Sequence, residues 1–295
     1  MAEFKEIQIE DKAWVDKILE NQEDLSLEYN FTTAFIWRKI FGITISPLQG
    51  GRFYTTKTKD NSFMFPCGEG DIRLALEEIF DYCKENNIKP KFYSLTKKNK
   101  ETLESLYPDK FSYKENRDGG DYVYEKEKLA TLSGKKLSAK RNHINRFIEN
   151  NPDWKYEEIN DENIDEVFLM NQKWCEIAGC KNEEGIRDES CAVKEAFAHF
   201  NELKLSGGLI RAKGEVVAYS MGDKLSRDTF LVHIEKAFPD IQGAYPIINR
   251  EFVIHNCDDF AFVNREDDAG DEGLRKAKLS YRPYEIVEKW NAESK

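Results

Sequence analysis

The chain has 295 residues, enough for two modest domains or one large one. A hydrophobic fraction of 40% with 13% aromatic residues supplies a packed core and excludes wholesale disorder. The formal net charge of −11 argues against a general nucleic-acid binder, DNA included, and no apolar run approaches the roughly 18 residues of a membrane-spanning helix.

Arg52–Thr56 and Ser62–Phe65 predict a hairpin of alternating and aromatic strands. Asp71 then caps a helix whose apolar residues Ile72, Leu76, Ile79, Phe80 and Cys83 recur at helical spacing, and a strand follows at Lys91–Leu95. Beyond a boundary near residue 130, a helix is expected over Lys135–Asn150, closed by Asn150-Asn-Pro152. Another covers about 163–178, with Ile164, Val167, Phe168, Trp174 and Ile177 on its apolar side, and a further one Cys191–Leu205. Gly208–Ala212 and Glu215–Gly222 pair around Lys213-Gly214, and Thr229–Ile234 extends their sheet. A helix over Ala244–Ile254 and a strand over Phe260–Val263 complete the pattern. Phe63 to Phe92 and Leu231 to Phe260 are both intervals of 29 residues from strand across helix to strand. The match predicts two copies of one α/β (α+β) unit, residues 1–130 and 131–295, each a mixed, mostly antiparallel sheet flanked by helices.

The six cysteines, at 67, 83, 175, 180, 191 and 257, form no Cys-x-x-Cys pair and have no histidine at zinc spacing. Buried free thiols and no metal site are expected. With a charged N-terminus, Met1-Ala-Glu-Phe-Lys-Glu6, in place of a signal peptide, the chain reads as cytoplasmic.

Charge is unevenly spread. From Leu129 to Ile148 there is no acid, while Lys135, Lys136, Lys140, Arg141 and Arg146 are cationic. Lys136, Lys140 and His143 fall on one helical face, with Leu137, Ile144 and Ile148 on another and Arg141 on its flank beside Asn145. A solvated amphipathic helix also makes charge runs, but exposed helices ordinarily mix both signs. An unbalanced basic face fits an anionic ligand such as a tRNA acceptor end, a coenzyme or a lipid head group. The acids Asp258, Asp259, Glu266, Asp267, Asp268, Asp271 and Glu272 do not follow calcium-loop order. Arg265 and Glu266 stand out among this segment because they sit at a strand's end, where ligands meet α/β sheets. Glu235 ends the preceding strand with His233 on the same face, and is the expected general base. Gln242, Gly243 and Ala244 are the right residue types for a pyrophosphate cradle at a helix start, although the spacing is compressed and Pro246 removes a donor.

The segment Phe260-Ala-Phe-Val-Asn-Arg-Glu-Asp-Asp-Ala-Gly-Asp-Glu-Gly-Leu-Arg-Lys-Ala-Lys-Leu-Ser-Tyr-Arg-Pro283 resembles the end of the phosphatidylglycerol lysyltransferase C-terminal domain family. Fem-type aminoacyltransferases carry a looser version, Gly-Leu followed by an aromatic-Lys pair. Asp121-Tyr-Val-Tyr124, leading through Leu129 to Ser133–Phe147, is similar to the family's other signature, and Ser26–Trp37 resembles its soluble, uncharacterised bacterial members. The resemblance covers nearly the whole chain and implies tandem GNAT-type acyltransferase folds with aminoacyl-tRNA as donor. It implies a ligand held by Lys136, Lys140, Arg141, Asn142, Arg265, Glu266 and Tyr281. Lys278 matches the lysine of the aromatic-Lys pair, with Ala277 in the aromatic position, and is implied as the cation facing a developing oxyanion. The alternatives are an acyl-coenzyme A-dependent N-acyltransferase and a non-catalytic binding module. A net charge of −11 is poorly attracted to anionic lipid, so the expected acceptor is a small-molecule or peptide amine or hydroxyl, a peptidoglycan-precursor amine included.

Overall fold

The computed structural model describes residues 2–179 and 184–295. The chain forms two compact units that interleave in sequence. Met1–Asp121, Asp267–Glu272 and Ile286–Lys295 make the first, and Tyr122–Glu266 with Gly273–Glu285 the second.

The first unit contains β1 (Lys5–Glu6), α1 (Lys12–Leu19), α2 (Phe31–Phe41), β2 (Thr44–Leu48), β3 (Phe53–Lys57), β4 (Cys67–Gly68), α3 (Ile72–Glu85), β5 (Lys91–Thr96), α4 (Lys97–Leu106) and β6 (Phe111–Glu115). The chain continues through β7 (Asp121–Glu125), α5 (Lys126–Thr131), α6 (Ser138–Asn150), β8 (Lys155–Glu158), α7 (Ile164–Ala178), α8 (Glu184–Ala198), β9 (Ser206–Ala212), β10 (Glu215–Lys224), β11 (Thr229–Ala237), α9 (Ala244–Asn256), β12 (Phe262–Asn264), α10 (Glu272–Ser280) and β13 (Glu285–Val287). It then returns to the first unit as β14 (Lys289–Ser294).

In the first unit the described strands form sheets ordered β1-β2-β3-β4 and β5-β14-β6. Asp71 starts α3 by accepting the Arg73 N–H at 2.9 Å, and the helix buries Ala75, Leu76, Ile79 and Cys83 against Phe63 and Phe92. Ser62–Phe65 is not the strand its composition predicts. Phe63 alone makes bridges, antiparallel to Lys57 and parallel to Phe92, and Pro66 removes the next donor before β4 takes over the pairing with β3. The last strand, β14, lies between β5 and β6, and brings Lys289 inside. The Lys289 ammonium, 0% exposed, meets Asp121 Oδ1 and Glu28 Oε2, each at 2.7 Å. Asp121 also accepts the Leu27 N–H at 2.8 Å, so the Ser26-Leu-Glu28 segment is tied to the same charge cluster. Burial pushes the Asp121 carboxyl upward and the ammonium of Lys289 opposes it, while the two carboxylates hold Lys289 firmly charged.

The second unit is built on a sheet ordered β13-β7-β12-β11-β10-β9-β8 among the described residues. β9 and β10 turn on Lys213 and Gly214, both at positive φ (53° and 80°), the conformation a two-residue hairpin with matching twist requires. β11 and β12 pair in parallel across α9, as Phe63 and Phe92 do across α3. Strand β12 begins at Phe262, past a turn in which the Phe260 N–H is spent on the Cys257 carbonyl. α8 ends at Ala198, short of the expected Leu205, where the chain breaks into turns that bring Lys204 to φ 58° ahead of β9. Cys67, Cys83 and Cys257 are buried free thiols and Cys191 an exposed one. Cys175 is disulfide-bonded, which corrects the free-thiol expectation there, and Cys180 lies outside the described residues. No helix of the described residues is long and apolar enough to cross a membrane.

Candidate functional site

Three residue pairs hold β11 to β12, Thr229 with Phe262, Phe230 with Val263 and Leu231 with Asn264. β11 runs on to Ala237, but the segment after β12 stays with β7, with the Arg265 N–H on the Tyr122 carbonyl at 2.9 Å. Side chains span the gap that opens. β10 and β11 lose register where Met221 opposes Ile234 and Gly222 opposes Val232, which leaves His233 as the extra residue of a bulge. A Cβ on Gly222 would stand 2.1 Å from the Leu231 carbonyl oxygen, so the bulge requires glycine there. The His233 ring reaches Asp223 at 2.9 Å through Nε2 and Glu266 at 3.0 Å through Nδ1. Glu266 holds a left-handed conformation (φ 58°), fixed by its N–H on Asn264 Oδ1 at 2.7 Å.

Burial alone would lower the His233 pKa, but the carboxylates of Asp223 and Glu266 outweigh it and raise the value to about 9. The ring is therefore an imidazolium clamped between two anions, with 1% of its side chain exposed. The folded pKa lies above the ordinary 6.5, so this clamp stabilises the fold fully below pH 6.5 and loses its contribution as pH rises through about 9. His233→Gln is expected to lower the melting temperature most at pH 6 and progressively less toward pH 9.5. Equal losses at both ends, read by scanning calorimetry, exclude a charged clamp.

Two residues along β11, Glu235 accepts from Arg265 Nη2 at 2.8 Å with one oxygen and from Asn249 Nδ2 at 2.9 Å with the other. Arg265 is flanked by Tyr281 and Tyr124, its guanidinium carbon 4.9 and 5.6 Å from their ring centroids. Only 10% of its side chain is exposed, yet Nε and Nη1 have no protein partner, and neither does Asn249 Oδ1. Lys140 of α6 comes over the same Tyr281 ring, its ammonium 4.0 Å from the centroid. Burial, then the neighbouring Arg265 cation, lowers its pKa to about 8, with Glu235 opposing.

The structure thus brings Lys140, Glu235, Arg265 and Tyr281 together, with Glu266 one residue away and turned to His233. Lys278 is buried beneath them, its ammonium on the Arg265 carbonyl oxygen at 2.6 Å, while its own carbonyl accepts from Tyr124 Oη at 2.8 Å. Lys136 and Asn142 are exposed, and Arg141 Nη1 donates to the carbonyls of Leu132 and Gly134, bracing the loop before α6. Gln242 is exposed, Ala244 spends its N–H on the Ile241 carbonyl, and Gly243 (φ 87°) lies so near α6 that a Cβ would meet the His143 carbonyl oxygen at 2.2 Å. Asn249, Asp223 and Tyr124 were not singled out from the sequence. Asn249 is, with Glu251, one of two polar residues among the otherwise apolar buried positions of α9, a weak signal that could have marked it.

A splayed parallel pair beside a bulged strand, in a sheet flanked by helices, defines a GNAT-like fold. An acetyltransferase of the GNAT family from Colwellia psychrerythraea superposes over 100% of both chains with a TM-score of 0.53 at 9% identity. A family model described as phosphatidylglycerol lysyltransferase, C-terminal, matches residues 21–293, and the chain belongs to that family. The structure of L-PGS from Bacillus licheniformis shares the fold, with a TM-score of 0.62 at 15% identity over 92% of this chain and 94% of that one. A conserved protein of unknown function from Bacteroides thetaiotaomicron VPI-5482 is 34% identical, with a TM-score of 0.95 and 100% of both chains covered.

Proposed function

We propose that the second unit transfers an α-aminoacyl group from an ester donor, an aminoacyl-tRNA, to an amine or hydroxyl acceptor. The observation that carries this reading is the pair of unmet polar needs on either side of Glu235. Arg265 offers buried donors at Nε and Nη1, and Asn249 offers a buried acceptor at Oδ1. An aminoacyl ester matches both, its carbonyl oxygen taking the guanidinium and its α-ammonium facing Glu235 and Asn249. A plain acyl group matches only the first, and leaving a buried polar group unpaired costs about 1–3 kcal/mol. The family supports this donor, and the crowding of Gly243 by α6, with the Ala244 N–H already used, disfavours a coenzyme pyrophosphate at the start of α9.

The test is transfer of radiolabelled amino acid from a mixed charged-tRNA pool to a panel of small amines, with coenzyme A thioesters in parallel. Thermal shifts add an independent readout, since a ligand at about 100 times its Kd adds about 2.7 kcal/mol of stability. Stabilisation by coenzyme A and not by charged tRNA would overturn the assignment in favour of an acyl-coenzyme A-dependent enzyme.

In this reading Lys278 positions Arg265 rather than meeting the oxyanion itself. Lys278→Ala should lower transfer at least about a hundredfold, as when a transition-state donor is displaced. Lys278→Arg should restore most of it by reaching the same carbonyl. An alanine variant with unchanged kcat would remove Lys278 from the machinery.

A further inference from the structure

We infer that Lys140 is the proton shuttle of this site. Its neutral ε-amine takes the proton that the attacking nucleophile loses, and the resulting ammonium returns one to the departing oxygen. The inference rests on the aminoacyl-transfer reading and names a chemical role within it. As the carbon–nitrogen or carbon–oxygen bond to the acceptor forms and the donor ester bond breaks, the acceptor's proton passes through Lys140 to the leaving hydroxyl. The lysine ends as it began.

The other ionisable groups of the site are committed. Glu235 carries a hydrogen bond on each oxygen, His233 lies between two carboxylates, and Lys278 holds a backbone carbonyl. Arg265 is a permanent cation. Unlike Glu235, His233 and Lys278, Lys140 has its titratable nitrogen in no hydrogen bond or ion pair, resting on the Tyr281 ring. The groups facing it are Arg265 beyond β12, Glu235 on β11 and the ring of Tyr281 beyond α10, with Tyr124 of β7 behind that ring. One cation against one carboxylate in a half-buried setting disfavours the ammonium, and a pKa of about 8 matches a shuttle working near neutrality. The helix supplies the aim. Ile144 and Phe147 of α6 are buried, and Gly243 lets α6 close on α9, which fixes Lys140 over the ring.

Two measurements test this on the full chain. Competitive labelling with trinitrobenzenesulfonate from pH 6 to 11, read at Lys140 by peptide mass spectrometry, should show half-reaction near pH 8, ahead of ordinary lysines at about 10.4. In transfer from the charged-tRNA pool, Lys140→Arg keeps the charge and loses the base. It should lower kcat by roughly a hundredfold to ten-thousandfold with the donor KM unchanged. Lys140→Met should be equally slow and partly rescued by added methylamine. A Lys140→Arg variant as fast as wild type, or a Lys140 that labels with the bulk of the lysines, overturns the shuttle while leaving aminoacyl transfer in place. A wild-type protein that accepts no charged tRNA sinks both.

Discussion

Lys289→Met is expected to destabilise the first unit by about 3–5 kcal/mol, the cost of removing one partner from a buried ion pair. The ammonium of Lys289 is the shared partner of Asp121 and Glu28, at 2.7 Å from each, and both Lys289 and Asp121 are 0% exposed. Without it, two carboxylates face each other away from water, and the remaining donors, such as the Leu27 N–H on Asp121, are dipoles rather than charges. At about 2–4 °C per kcal/mol for a domain of this size, the melting temperature should fall by roughly 10 °C. Adding Asp121→Asn should recover part of the loss, because one uncompensated anion then disappears. A loss below about 1 kcal/mol in chemical denaturation would mean that water reaches the cluster and solvates it.

Arg265 should be central to transfer, and two substitutions separate its charge from its geometry. Arg265→Lys keeps a cation for Glu235 but gives up the planar fork whose Nε and Nη1 are buried and unpartnered. The variant should fold like the wild type and lose about a hundredfold to a thousandfold in kcat, the scale of one lost oxyanion donor. Arg265→Met removes both. It leaves Glu235 with Asn249 as its hydrogen-bond donor and should cost about 3–5 kcal/mol of stability in addition to activity. If Arg265→Lys transfers normally, the free guanidinium nitrogens do not meet the substrate, and the aminoacyl assignment loses its main support.

Local chemistry made much of the architecture legible. Asp71 before Ile72, the Lys213-Gly214 turn and the apolar spacing of Leu76, Ile79 and Cys83 act over a few residues, and each appears where the sequence puts it. Lys140 could be picked out because no acid stands near it in sequence, and Arg265 because it sits at a strand's end, where ligands meet α/β sheets. Their partners could not be read in this way. Glu235 reaches Arg265 across 30 residues and Asn249 across 14, contacts set by how β11 and β12 diverge around α9. Arg141 and Lys278 carry the same charge as Lys140 but end on backbone carbonyls, which depends on a loop and a turn that no periodicity reveals. The bulge at His233 is equally silent, since one inserted residue leaves the alternation of β11 almost intact.

The position of β14 has a consequence for how the chain is made. Its first unit pairs β5 and β6 with a strand that the ribosome reaches only about 170 residues after β6, so that sheet stays open while the whole second unit emerges. At 5–20 residues per second this is a delay of roughly 10–30 s, during which Asp121 and Glu28 lack their counter-ion. The N-terminal unit of this chain is begun first and finished last.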